Sequence, residues 1–86
     1  MTTETFTSSM VGVVLPLRTG QSCDWSLTVN GSANMVLQTS ADLDTWQTIE
    51  SRTTSGSGSY VNVGADISIR WKCNSVSGSA VANLEV

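Results

Sequence analysis

Two short segments limit the possible folds of this chain more than any other feature. Cys23–Val29 and Ile67–Cys73 alternate apolar and polar residues at every position. Successive side chains of a β-strand point to opposite faces, so a period of two indicates a strand with one buried face. These segments therefore predict two strands that each contribute apolar side chains to a core.

The two segments carry mirrored motifs, Cys-x-Trp in the first and Trp-x-Cys in the second. In an antiparallel pair, the numbers of opposed residues have a constant sum. One register would place Cys23 opposite Cys73 and Trp25 opposite Trp71. Such cross-strand contacts stabilise a sheet. We expect this pairing, with the alternative that the two strands lie in different sheets.

The same register would pair opposite charges on the outer face, with Asp24 beside Lys72. An early strand would then lie beside a late one, which is typical of a jelly roll and not of a simple meander. Other short strands are separated by turn signals such as Asn30-Gly31. We predict an all-β fold of seven or eight strands, a small antiparallel jelly-roll-like sandwich, with an immunoglobulin-like sandwich as the alternative.

The polar segment at the start of the chain predicts a division into two parts. Residues 1–9 are expected to form a flexible N-terminal arm, and residues 10–86 the sandwich domain. Met10–Leu15 reads as the first strand, which ends at Pro16 because proline is confined to strand edges and boundaries. Phe6 is the one large apolar side chain of the arm, so it is a candidate contact with a partner.

Charge and composition exclude several functional classes. The net charge is −3, with four Lys and Arg residues and no histidine. Nucleic-acid binding needs clustered cations, and the familiar histidine-dependent catalytic and metal sites need histidine. No apolar run is long enough to span a membrane, and the start lacks the pattern of a signal peptide. We expect a non-enzymatic protein made in a cytoplasm, with no cofactor, no nucleic-acid partner and no membrane partner.

The heptapeptide SADLDTW, from Ser40 to Trp46, is the strongest candidate for a chemical site. Two acids in a turn supply too few oxygens for calcium, which takes six to eight. Asp42 is better explained as a turn cap that accepts backbone N–H groups. Trp46 would begin the next strand, and with Tyr60 it could instead form a platform for a sugar.

The tryptophans and cysteines of the alternating segments are expected to be structural. Trp25 and Trp71 share their faces with other apolar residues, which predicts core positions. The predicted register would allow a disulfide between Cys23 and Cys73. Synthesis in a reducing cytoplasm favours buried free thiols instead.

SADLDTW resembles the hairpin SNDGTTW of many small phage virion β-domains and discoidin-like sandwiches. Ser40, Asp42, Thr45 and Trp46 match that motif, and Leu43 stands where glycine is usual. The closing segment GSYVNVGADISIRWKCNSVSGSAVANLEV is similar to the last strands of phage decoration and tail domains. In such domains the aspartate–tryptophan turn is architectural.

The resemblance implies a structural protein of the virion, above all a capsid decoration or cement protein that stabilises the particle. Its partners would be the major capsid protein or another virion protein, and further copies of itself in a homo-oligomer such as a trimer. Phe6, Trp46, Tyr60 and Arg52 are the candidate contact residues. The alternative is a carbohydrate-binding or host-adhesion module of a phage tail or fibre.

Overall fold

All regular structure in the computed structural model, which describes residues 2–86, is β-strand. The strands are β1 (Thr2–Phe6), β2 (Met10–Val11), β3 (Leu15–Leu17), β4 (Ser22–Ser40), β5 (Gln47–Arg52), β6 (Gly56–Val61) and β7 (Ile67–Glu85). Within residues 2–86, no helix could cross a membrane. The predicted all-β class is confirmed.

The two long strands β4 and β7 form the centre of a single antiparallel sheet. They pair with each other from Asp24–Glu85 to Ser40–Ser68, with a bulge between Asn34 and Met35. β1, β2 and β3 follow one another along the free edge of β7. β6 and β5 do the same along the free edge of β4. The sheet is thus four strands wide, with β7 and β4 in the centre and the shorter strands along its two edges.

The long strands bend in the middle. Nineteen residues in straight β conformation would extend about 60 Å, whereas the longest dimension of the molecule is 36 Å. Gly31 and Gly78 lie opposite each other in the β4–β7 ladder, with φ of 106° and 99°. A positive φ is costly for any residue with a Cβ atom, so this glycine pair marks the line along which the sheet folds.

The fold brings the two ends of the sheet together. The indole N–H of Trp71 donates to the carbonyl of Asn83 at 3.4 Å, although the two residues are twelve positions apart in β7. A straight strand would separate them by about 40 Å. Trp25 and Trp71 meet edge to face, with ring centroids 5.7 Å apart. The two halves of the sheet therefore pack on each other.

We call the two halves the upper and the lower half-sheet. The upper half-sheet contains β1, β6, residues 22–30 of β4 and residues 79–85 of β7. The lower half-sheet contains β2, β3, β5, residues 32–40 of β4 and residues 67–77 of β7. All seven strands remain in one hydrogen-bonded sheet, so the finer prediction of a jelly-roll sandwich is not confirmed.

One continuous core lies between the half-sheets. The upper half-sheet contributes Trp25 and Leu84, and the lower contributes Trp71 and Leu37, all of them buried. The core positions predicted for Trp25 and Trp71 are confirmed. Burial of large apolar side chains such as these supplies about 1.5–3 kcal/mol each before entropy is counted.

The predicted register between the alternating segments is wrong. β4 and β7 do pair, but Trp71 lies opposite Leu37 and Trp25 lies opposite Leu84. The tryptophans meet across the core and not side by side on one face. The expected Asp24–Lys72 pair is absent for the same reason, since Asp24 lies opposite Glu85.

The structure also corrects the prediction of a flexible arm over residues 1–9. Thr2–Phe6 forms β1 and pairs with β7 from Leu84 to Ala80. Phe6 is fully buried in the core, so it is unavailable to a partner. Met1 lies outside the described residues. One face of β1 carries Thr2, Glu4 and Phe6 towards the core, and the opposite face carries the exposed Thr3 and Thr5.

Cys23 and Cys73 are buried free thiols, as predicted. They are not opposed: Cys23 pairs with Tyr60, and Cys73 pairs with Met10 and Met35. Burial raises the pKa of both thiols, because the thiolate is poorly solvated in an apolar core. The thiols are therefore structural apolar groups and not reactive ones.

Candidate functional site

The SADLDTW segment is a closed hydrogen-bonded turn. One carboxylate oxygen of Asp42 accepts from the backbone N–H groups of Asp44 and Thr45, both at 2.9 Å. The hydroxyl of Ser40 lies 2.6 Å from the carbonyl of Thr45 and accepts from the N–H of Leu43 at 2.9 Å. Asp42 thus caps the turn, as predicted.

These hydrogen bonds affect the acidity of the cap. The N–H groups of Thr45 and Asp44 lower the pKa of Asp42, and the hydroxyl of Ser40 adds to the effect. The ionised carboxylate is the form that accepts the hydrogen bonds of the turn.

Within residues 2–86, no group of three or more His, Cys, Asp or Glu side chains is arranged to hold a metal ion.

Trp46 lies on the outer side of the lower half-sheet and is half-buried. The guanidinium carbon of Arg70 stands 3.8 Å from the centroid of its ring. The Nε of Arg70 donates to the side-chain oxygen of Gln38 at 3.0 Å. Burial lowers the pKa of this guanidinium, which nevertheless stays protonated. One face of the indole is therefore occupied by a cation, which leaves less of it for a sugar.

Arg52 has a structural role, because its contacts lie within the protein. Its guanidinium carbon lies 5.7 Å from the ring centroid of Trp25. One nitrogen donates to the carbonyl of Ser55 at 3.0 Å, and another lies 3.8 Å from the carboxylate of Glu50. The side chain thus covers the core and ties β5 to the turn before β6.

Tyr60 is half-buried in β6. It lines a cleft of about 460 Å³ at the end of the molecule that is opposite the Gly31–Gly78 bend. The walls of the cleft are the SADLDTW turn and the 62–66 loop. Its lining residues are Thr39, Ser40, Ala41, Asp42, Thr45, Gln47, Tyr60, Asn62, Val63, Gly64, Ala65 and Ile67. Trp46 is not among them, so the structure does not join Trp46 and Tyr60 in one platform.

Asn62 organises this end of the molecule, and sequence reasoning gave it no such role. Its side-chain NH₂ donates to the carbonyls of Leu17 and Ala65, and its side-chain oxygen accepts from Gly64. Its backbone bonds to Gly20 and Gln21. Since the side chain is 3 % exposed and already fully engaged, it holds the loops together and does not offer itself to a ligand.

A run of exposed apolar residues was also missed from the sequence. Met10, Val11, Val13 and Val14 are between 40 % and 50 % exposed. We call these four residues the Met10–Val14 ridge. The sequence predicted one strand over Met10–Leu15, but the structure has a two-residue edge strand, β2, followed by an irregular segment before β3. The run does not alternate strictly between apolar and polar residues, and this was the one sign in the sequence that it is not a regular strand with one buried face.

The backbone of the ridge is held in place. The N–H of Gly12 donates to the carbonyl of Trp71 at 2.8 Å. The N–H of Val13 is shared between the two carboxylate oxygens of Glu4 at 3.1 and 3.0 Å. Glu4 reaches it from β1, so the bond ties the edges of the two half-sheets together. The ridge is therefore an ordered surface.

Comparison of the chain with known protein families, with curated proteins and with solved structures found no match in any of the three.

Proposed function

We propose that this chain is a non-enzymatic structural protein of a bacteriophage particle, most simply a decoration protein that binds and stabilises the capsid surface. Its partner would be the major capsid protein or another virion protein. The observation that carries the proposal is the Met10–Val14 ridge. The likeness of SADLDTW and of the closing strands to small virion β-domains supplies the biological context.

The ridge has the properties of a contact surface. Exposed apolar residues that cluster on a small soluble domain often mark a binding site, and the four residues of the ridge lie within five consecutive positions of the chain. β2 pairs with β7 alone among the described strands, so its other edge can meet a partner backbone. Because hydrogen bonds already fix the ridge, binding would cost little ordering entropy. The ridge therefore supports an adhesive role.

The size of the ridge sets the mode of binding. A standard interface takes about 800 Å² from each partner, and four half-exposed side chains supply less than that. A decoration protein with this ridge would therefore contact more than one neighbour. Further copies of the same chain are the natural additional neighbours, and a trimer is one such arrangement.

The test is binding to capsids assembled from the major capsid protein of the phage whose genome encodes this chain. The double variant Val11→Ser/Val14→Ser removes apolar surface from the ridge. Val63→Ser is the matched control, because Val63 is 88 % exposed and lies at the rim of the cleft. We expect the ridge variant to bind at least about tenfold more weakly, with an unchanged melting temperature. The control should bind normally; equal binding by both variants would refute the proposal.

A carbohydrate-binding role is the second candidate, and the cleft beside Tyr60 favours it. A volume of about 460 Å³ lies within the usual range for small-molecule sites. Two of its polar side chains, Asp42 and Asn62, are committed to internal hydrogen bonds, which weakens the case. Titration with a panel of glycans would decide it: binding that Tyr60→Ala abolishes supports this role, and no binding by the native protein excludes it for that panel.

A further inference from the structure

The two outer faces of the folded sheet carry opposite charges. On the upper half-sheet, Asp24 of β4 lies directly opposite Glu85 of β7, and both are exposed. Their neighbours Trp25 and Leu84 are buried in the core. Because side chains alternate along a strand, both carboxylates project from the outer face. The other outward strand positions of this half-sheet hold Ser, Thr, Asn or Val, with no lysine or arginine.

Among residues 2–86, no lysine or arginine on this outer face balances the acidic pair. Like charges directly opposite in neighbouring strands destabilise a sheet. Within residues 2–86, the ion pair that the structure records joins Arg52 to Glu50, away from this face. A cation supplied from outside would therefore be favourable beside Asp24 and Glu85.

The lower half-sheet presents the complementary charges. Arg70 and Lys72 flank the fully buried Trp71 in β7, so both project outward. They lie opposite Gln38 and Val36 of β4. The outward positions of the paired strands carry no aspartate or glutamate.

One cation of this face is fixed and the other is free to pair. Arg70 is held by Gln38 and by the ring of Trp46. Lys72 makes no ion pair within the described part of the chain. The lower face thus offers one positioned and one adaptable positive charge.

We infer that the occupant of each face is a second copy of this chain, with the acidic outer face of the upper half-sheet stacked on the basic outer face of the lower half-sheet of the next copy. The inference deepens the proposed function, on which it rests for its biological setting, by naming the partner of these two faces. The contact joins different surfaces of the two copies. Head-to-tail contacts of this kind close into rings or continue as stacks.

A stable contact of this kind would use nearly a whole face of the molecule. The two longer dimensions of the molecule are 36 and 23 Å, so a face bounded by them covers at most roughly 800 Å², close to the contribution of one partner to a standard interface. The polar composition of the upper face suits a contact between separately folded subunits, which is more polar than a core.

The experiment measures self-association of the purified chain by sedimentation, at about 20 mM and about 500 mM NaCl, with EDTA present. Salt screens pairing between exposed charges, so we expect association at low salt and monomers at high salt. Asp24→Lys and Lys72→Glu should each weaken association at least about tenfold, because each places like charges in the contact. Asp44→Lys and Arg18→Glu are matched controls with the same charge changes elsewhere, and they should associate normally.

Mixing the two interface variants gives the decisive result. Each variant alone meets like charges, whereas the mixture can alternate, since each changed face then meets its complement. We expect the equimolar mixture to recover association. Failure to recover, or a native chain that stays monomeric at low salt, overturns the inference.

A further outcome also overturns the inference. Association that requires added calcium would indicate a bridging cation at Asp24 and Glu85 in place of a second copy's basic face. Capsid binding is measured separately on the native chain. A native chain that binds capsids but stays monomeric overturns this inference alone, and one that self-associates but does not bind capsids overturns the proposed function alone.

Discussion

At the scale of single residues, the SADLDTW turn combines one favourable and one unfavourable feature. The carboxylate of Asp42 satisfies two backbone donors. Leu43 next to it has φ of 65°, the left-handed region that suits glycine. The turn therefore depends on its cap and retains strain at the following residue.

The cap predicts a pH dependence. The folded pKa of Asp42 lies below its ordinary value of 3.8, so its contribution to stability is complete above the unfolded pKa and is lost as the pH falls through the folded one. Asp42→Ala should lower stability at pH 7, and the difference from the native chain should shrink in this acid range. Asp42→Asn, which keeps an oxygen acceptor, should lose less. Urea unfolding at several pH values measures both; a difference independent of pH would contradict the charge argument.

The strain predicts a stabilising substitution. Leu43 is 61 % exposed, so its side chain contributes little burial. Leu43→Gly should remove a left-handed cost of about 1–2 kcal/mol at the expense of greater chain entropy, a net gain of up to about 1 kcal/mol. Leu43→Ala keeps the Cβ atom and should bring no such gain. Thermal melting of both variants distinguishes the two cases, and equal melting would show that φ is not the cause.

At the scale of elements, the decisive feature is the bend shared by β4 and β7. Gly31 and Gly78 face each other at the fold line, where β1 passes towards β2 and β5 turns towards β6. A Cβ atom on Gly31 would press on the carbonyl oxygen of Ser77, and one on Gly78 on that of Asn30. The two strands can approach there only without side chains.

Alanine substitution tests the bend. Gly31→Ala combines the cost of a positive φ with a backbone clash, so we expect a loss of more than about 2 kcal/mol. Gly20→Ala is the matched control, because Gly20 has φ of 81° and open space around its Cα. It should lose only about 1 kcal/mol. Chemical denaturation gives both values, and similar losses would mean that the close approach does not matter.

At the scale of the whole molecule, β1 is required to complete the core. A domain of this size buries a limited share of its surface, and its total stability is about 5–15 kcal/mol. The fully buried Phe6 joins the same core cluster as Trp71 and Leu84. The start of the chain is thus an edge strand of the folded sheet.

Removal of β1 should therefore unfold the protein. Deletion of residues 1–9 removes a strand and the Phe6 ring, and Phe6→Ala alone should cost about 3–5 kcal/mol. Thr5→Ala is the control, because Thr5 is exposed on the same strand. Circular dichroism during thermal melting measures the effect. A truncated chain that melts like the native one would contradict the role of β1.

Much of the local structure could be predicted from the sequence. Alternation in Cys23–Val29 and Ile67–Cys73 identified parts of β4 and β7 and the side chains that face the core. The capping role of Asp42 could be predicted because its side chain and the backbone N–H groups that it accepts from lie within a few residues of each other. These features depend on short-range geometry, which the chain carries wherever the segment is placed.

The tertiary structure alone decided the register, the bend and the role of β1. Trp71 faces Leu37, twelve residues further along β4 than Trp25. An even shift leaves every side chain on the same face, so a pattern of period two cannot choose between such registers. The bend lets both tryptophans share one core from opposite half-sheets. β1 carries one large apolar residue and is ordered by β7, and the Met10–Val14 ridge is exposed because it lies at an edge; both outcomes depend on contacts with distant parts of the chain.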